Sequence, residues 1–468
     1  MTTHPLAERP ARGLPRRMLL VVLAAAMVAG GSYVVHSWSP SQRPSGAQSD
    51  VGAPNGPRLD GVSGEGAPGG LLPPAQRVAF WEGRVASSTT PSYLDLIYLA
   101  DAYLDRSRAT GDLDDLKRAD VALHRASPIT ADPTAVLVRQ ALVAFSLHEW
   151  QRSLDIANGV LADDPANLAA LGVSGDALLE TGDVAGARDR YHTLEGLVAS
   201  PAVWSRLGRL AFLTGDLAGG TRLVERAVSG AVDEGYPDAI AFYRFQLGEL
   251  LRQRGDANGA AASYAAALAA LPDYVPATVG LARAREAQGR RADAIALLER
   301  AVARLPQPET VAALGDLYAL DGDTARAERE YALVDRIAAV AAATGSVYDR
   351  QLTLFAADHD RDVPAAVTRA RAELAVRPDV YGYDALAWAL FKDGQLDLAA
   401  KAAAQAQSLG TPDPRIAYHA GMIAAAQGRS DDARRLLEAA VAGSTMLPPA
   451  QVPVAMAALA QLDADAAR

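Results

Sequence analysis

The sequence predicts an all-α fold, a solenoid of stacked helical hairpins preceded by one apolar N-terminal helix and an irregular tether. Three observations carry that expectation. Half of the residues are apolar yet only 6% are aromatic, and Ala dominates over the β-branched types that build strands. The 468-residue chain is longer than one compact core usually holds. A signature of a small residue, a Gly-polar pair and an Ala also recurs, its glycines at 182, 215, 255, 289, 322, 394 and 428 separated by 33, 40, 34, 33, 72 and 34 residues.

The first element is a membrane anchor. Met18 to Val35 is an uncharged stretch of 18 residues, which as a helix spans about 27 Å, close to the roughly 30 Å hydrocarbon core of a bilayer. Arg9, Arg12, Arg16 and Arg17 oppose Glu8 on its N-terminal side, and Tyr33 and Trp38 flank the other end. The positive-inside rule then places residues 1–17 in the cytoplasm and the bulk of the chain outside, as a single-pass membrane protein. The competing reading is a cleaved signal peptide with Arg16-Arg17 as its basic region and Ala29-Gly30-Gly31 as its cleavage site, which makes the chain a secreted one. Residues 36–77 follow as a linker rich in Ser, Pro and Gly, with too little apolar surface to offset the entropy of ordering it.

Residues 78–443 read as the repeat array, about ten units long. The small residue stands seven positions before the turn glycine, where two antiparallel helices must approach most closely. Gly182-Asp183, Gly215-Asp216, Gly255-Asp256 and Gly322-Asp323 each supply a residue free to take positive φ and then an N-cap oxygen. Pro165, Pro272, Pro306 and Pro378 end the second helices. The 72-residue gap holds two units, with Arg361-Asp362 in place of the middle turn.

These residues resemble the tetratricopeptide repeat (TPR) family, whose unit carries a W-x2-L-G-x2-Y, A-x3-F and P pattern. Trp204, Leu207 and Gly208 match its opening, Leu247-Gly248 with Ala260, Tyr264 and Pro272 match a nearly complete unit, and Leu314-Gly315, Tyr318, Ala327 and Tyr331 match another. The resemblance covers roughly residues 92–443 and implies a right-handed superhelix whose first helices line a concave groove.

Three places depart from the period. The first unit is longer between Ala100 and Ala119, and insertions lie at SGAVDEGYPDAI before Gly255 and DRIAAVAAATGSVYD before Arg361. Lengthened helices or surface loops are the expected explanation. Residues 444–468 read as a capping helix, because the last apolar face of an array must be covered.

Chemistry has no visible apparatus, so the chain is not expected to be an enzyme or to hold a cofactor or metal. A net charge of −10 opposes nucleic-acid binding, and the chain has no cysteine. The seven histidines lack the helical i, i+4 pairing of a metal face, and no phosphate-cradling loop or G-x-S-x-G elbow is present. Asp358-His359-Asp360-Arg361-Asp362 concentrates acids without a defined ligand geometry and reads as a solvated turn.

The resemblance assigns the partner surface by motif position. It puts Arg209, Arg252 and Arg283 in the central groove and Tyr381, Trp388, Phe391, Lys392, Tyr418 and Met422 toward the C-terminus, where aromatic and Met side chains suit a binding hot spot. Leu386, Ala387 and Leu390 carry the packing of the same helix. The expected function is a non-catalytic scaffold at the cell envelope that binds a protein or peptide partner. The alternative is an accessory subunit of an envelope enzyme or transporter.

Overall fold

The computed structural model describes residue 72 and residues 74–110, 112–344 and 349–466. The apolar stretch Met18–Val35 and nearly all of the linker lie outside them, and among the described residues no helix is long and apolar enough to cross a membrane. The described residues form 22 α-helices and two short 3₁₀ turns. Helix α1 (Pro74–Ala86) starts inside the segment expected to be linker, because Val78, Trp81 and Val85 give it a buried face.

Ten hairpins follow. They are α2 (Tyr93–Thr110) with α3 (Leu113–Ala126), α4 (Pro133–Ser146) with α5 (Trp150–Asp163), α6 (Leu168–Glu180) with α7 (Val184–Leu197), and α8 (Pro201–Leu213) with α9 (Leu217–Glu234). Next come α10 (Pro237–Gln253) with α11 (Ala257–Ala270), α12 (Val275–Ala287) with α13 (Arg291–Arg304), and α14 (Pro308–Leu320) with α15 (Thr324–Thr344). The last three are α16 (Asp349–Asp358) with α17 (Val363–Val376), α18 (Val380–Lys392) with α19 (Leu396–Ala406), and α20 (Pro414–Ala426) with α21 (Ser430–Ala442). Helix α22 (Gln451–Ala466) covers the end as the expected cap.

The hairpin turns follow from their chemistry. Gly182, Gly215 and Gly255 take φ of +83°, +99° and +78°. The next residue closes a 6→1 bond back into the first helix, as when the Asp183 N–H donates to Leu178 O at 2.9 Å and that of Asp256 to Leu251 O at 2.9 Å. The same aspartates then cap the second helix, Asp183 accepting from the Gly186 N–H and Asp256 from that of Gly259, each at 2.8 Å. Where the glycine is missing, polar residues take the strained conformation: His148 at φ +63°, Asp360 at +51° and Asp362 at +40°. The small position before the turn is explained by packing. Tyr264 is fully buried between Gly248 and Gly280, where a Cβ would come within 2.4 and 2.5 Å of its ring.

The departures from the period are helix extensions. Helix α2 runs 18 residues, α9 and α10 run 18 and 17 around Gly235, and α15 runs 21, against 13 or 14 in most other members of the array.

A second level of contact lies above the hairpins. Five units on, the array returns to itself: the turns at Gly182, Gly215 and Gly255 abut the unit ends at Pro378, Gly410 and Ala442. A Cβ on these three glycines would lie 2.7, 3.3 and 2.8 Å from the facing carbonyl oxygens, whereas one on Gly289, Gly322, Gly394 or Gly428 would meet nothing within 4 Å. Thr411 Oγ1 donates to Leu213 O at 2.6 Å, Thr445 Oγ1 to Arg252 O at 2.5 Å, and Arg252 Nη2 to Thr445 O at 2.9 Å. Val380, Ala406 and Ile416 join the apolar core of helices α4 to α10 across this seam.

This predicts two classes of turn glycine. Gly322→Ala should cost about 1–2 kcal/mol, the penalty of a side chain in the left-handed region. Gly255→Ala should cost a further 1–3 kcal/mol or so from crowding against Ala442. Urea unfolding of the two variants separates these effects, and equal losses would mean that the seam is not held in solution.

Candidate functional site

The first helix of each hairpin faces the inside of the array, and successive first helices are joined there by acid–base pairs. Arg139 of α4 clasps Asp101 of α2 through two bonds of 2.9 and 3.0 Å. Arg206 of α8 does the same to Asp176 of α6 at 2.8 and 2.6 Å, and the buried Tyr191 hydroxyl donates to that carboxylate at 2.8 Å. Further along, His359, the residue that follows α16, pairs with Asp316 of α14 at 2.8 Å and His419 of α20 with Asp384 of α18 at 2.9 Å. Such forked, charge-assisted bonds fix the rotation of one unit on the next.

Arg209, Arg252 and Arg283 lie on this wall and all three are engaged. Arg209 binds Glu180 at 2.6 Å. Arg252 is 2% exposed and held by Glu249 and by Thr445 across the seam. Arg283 is the accessible one, its side chain 28% exposed against a 38% exposed Glu309.

Glu180 is the centre of the seam. It is fully buried between Arg209 and Arg377, the latter arriving from the unit end after α17 with its guanidinium over the Trp150 ring. Burial alone would raise the Glu180 pKa, but the charges of Arg377 and Arg209 outweigh it and hold the carboxyl down at about 2. Arg350 extends the network, reaching Glu373 at 2.7 Å and Asp379 at 2.8 Å. His148, packed beside these arginines, has its pKa lowered to about 4 by burial and by Arg377.

Of the C-terminal residues expected to line an open groove, Trp388 and Tyr418 are instead buried. Trp388 and Tyr418 are 5% and 3% exposed, because α22 folds over them and adds Ala455, Val452, Leu459 and Leu462 to a terminal core. Trp388 stacks on His419 at 4.3 Å and on Phe391 at 5.3 Å, and its Nε1 donates to Asp358 at 2.8 Å. Met422 packs in the same cluster, and Lys392 pairs with Asp360 at 2.7 Å. Leu386, Ala387 and Leu390 pack in the neighbouring core, as expected. Tyr381 lines two small cavities of about 40 and 80 Å³ beside Arg209 and Leu213, room for a few waters but not for a peptide.

The acidic turn at 358–362 is solvated at Asp360 and Asp362, as expected, and is a structural joint as well. Asp358 also accepts from Gln451 of the cap at 2.9 Å, Arg361 reaches Glu328 and Asp335, and Asp362 caps α17. Sequence reasoning missed Glu180, Arg377, Thr411 and Thr445. Their partners lie almost two hundred residues away, as with Arg377 and Glu180 at a separation of 197, beyond any local pattern.

Comparison with known proteins identifies tetratricopeptide repeats at residues 138–193, 251–317 and 385–446. No curated protein sequence matches the chain. Among solved structures it is similar to a tetratricopeptide repeat protein from Parabacteroides merdae, at 18% identity over 56% of this chain and 98% of that one, with a TM-score of 0.38. A Rap protein complexed with competence and sporulation factor matches at 13% identity over 83% and 100%, TM-score 0.46. A human IFIT1 dimer with PPP-AAAA matches at 14% over 78% and 94%, TM-score 0.43.

Two outcomes follow for stability. Trp388→Ala should destabilise the protein by about 3–5 kcal/mol, comparable with the roughly 2–5 kcal/mol of Leu386→Ala, since both empty a core; thermal melts compare them directly. Glu180 has a folded pKa below its ordinary 4.5. Its contribution is therefore fully present above that value and lost as pH falls toward 2. Glu180→Gln should flatten acid unfolding in that window as followed by circular dichroism.

Proposed function

We propose that the chain is a non-catalytic protein-binding scaffold, held at a membrane by the apolar stretch Met18–Val35, with its repeats outside the cytoplasm. The tetratricopeptide repeats support the scaffold reading, and Arg16-Arg17 before the apolar stretch supports the anchor. The partner surface in this reading is the inner wall. The observation that carries it is the mixed chemistry of that wall: Ser205, Arg209, Gln246, Glu249 and Gln253 stand beside Phe212, Leu213, Leu250 and Tyr381, and the Arg283–Glu309 pair lies further along it. Polar contacts of this kind characterise interfaces that exchange one partner for another. A peptide or protein segment bearing both charges takes over the pairing when the two turns of the array part at the seam. Arg283 and Glu309, already half exposed, are the point of first contact.

Cross-linking and mass spectrometry on membranes carrying the full chain tests this. Arg283→Glu should lose the partner bound by the wild type, and Arg300→Glu on the exposed face of α13 should keep it. Equal capture by both variants would remove the inner wall from the assignment. The anchor is tested separately: the chain should remain in the pellet after alkaline carbonate extraction, and release as a shortened soluble product would favour the secreted alternative.

A further inference from the structure

The inner-wall cation changes type along the array. At the joints α2–α4 and α6–α8 it is Arg139 and Arg206, side chains that stay charged at every physiological pH. At α14–α16 it is His359. That joint is the base of the C-terminal arm, whose Arg377, Thr411 and Thr445 make seam contacts.

The geometry around His359 fixes its proton count in this state. Nδ1 faces the Phe355 carbonyl oxygen at 2.9 Å and Nε2 faces Asp316 Oδ1 at 2.8 Å. A carbonyl and a carboxylate are both acceptors, so both ring nitrogens must carry a proton and the ring is an imidazolium. The Tyr331 hydroxyl of α15 donates to the same carboxylate at 2.9 Å, and the Tyr331 and Phe355 rings each lie 4.6 Å from the imidazole. The other charged groups of the joint are Asp358 beside it and Arg361, which is paired with Glu328 and Asp335.

We propose that the Asp316–His359 clasp is a pH-operated latch: protonated, it holds α16 against α14 and keeps the seam closed, and on deprotonation it releases the arm and uncovers the inner wall. This deepens the reading that the inner wall binds its partner when the turns part, but its test needs no partner, so its failure leaves that reading standing. Burial alone would lower the His359 pKa; the hydrogen bond and charge of Asp316 outweigh it and raise it. The stabilisation is therefore complete below the ordinary value of 6.5 and is lost as pH rises through the higher folded value. Glu180 and His148 titrate well below this window and leave the seam itself unchanged across it.

Hydrogen–deuterium exchange of the full chain between about pH 6 and 8.5, corrected for intrinsic exchange, reads the latch. Protection of α16 and of the seam segments around Gly182, Gly255 and Thr411 should fall with rising pH, by at most about tenfold per pH unit for one proton, while α2 and α3, packed in a separate core, stay constant. His359→Gln should show the low protection at every pH, and Asp316→Asn should lose the slope in the same way. A wild type with no slope, or a His359→Gln chain that keeps the wild-type slope, overturns the latch. Should either variant fail to fold, the wild-type slope decides.

Discussion

The lateral contact between successive turns of the array governs the rest of the molecule. Nearest-neighbour packing alone yields an open coil whose curvature is set by small rotations between units. Here the turns at Gly182, Gly215 and Gly255 meet backbone carbonyls five units on, close enough to exclude a Cβ at Gly182 and Gly255 and to crowd one at Gly215. A fixed distance at three consecutive units leaves little freedom in pitch. The interior is consequently lined by the protein's own side chains, with Glu180 neutralising Arg209 and Arg377 at its centre.

Burying that triad carries a desolvation cost, and a buried ion pair is weak evidence for net stability. Its effect is on geometry. Glu180 accepts from two arginines that belong to units far apart in sequence, so the triad is satisfied in one register of the two turns and broken in any other. Thr411 and Thr445 act in the same way, each donating a side-chain hydroxyl to a carbonyl at the end of a first helix. Two levels of specificity thus operate. Apolar surface and small residues set how hairpins stack, and polar contacts set where the coil closes.

The C-terminal end illustrates how position in a repeat can mislead. Trp388 occupies a motif position that faces inward in a continuing array, but the hairpins described here end with the unit that follows it. Helix α22 supplies the missing neighbour, and its Val452, Leu459 and Leu462 turn the would-be groove lining into core. The same termination turns Asp358 inward, where it receives Trp388 and Gln451 and where burial raises its pKa. Aromatic residues at groove positions near an array end therefore report on capping as readily as on a partner.

The sequence by itself determined the hairpins. Glycine with positive φ, an aspartate able to cap, a proline two residues past the helix end and small residues under Tyr264 act over distances of a few residues to one unit, and a repeating pattern displays them. The places where the period breaks, near α2, α9, α10 and α15, were legible on the same ground, but not whether longer helices or loops fill them. The closing of the coil was decided only in three dimensions. Gly255 and Gly322 stand in the same motif with the same φ, near +80°, and differ in whether a carbonyl from five units away lies against them. That difference is the sum of many small rotations between units, each set by side-chain packing and none written at a single position. The burial of Arg252, Trp388 and Tyr418 follows from it and from α22.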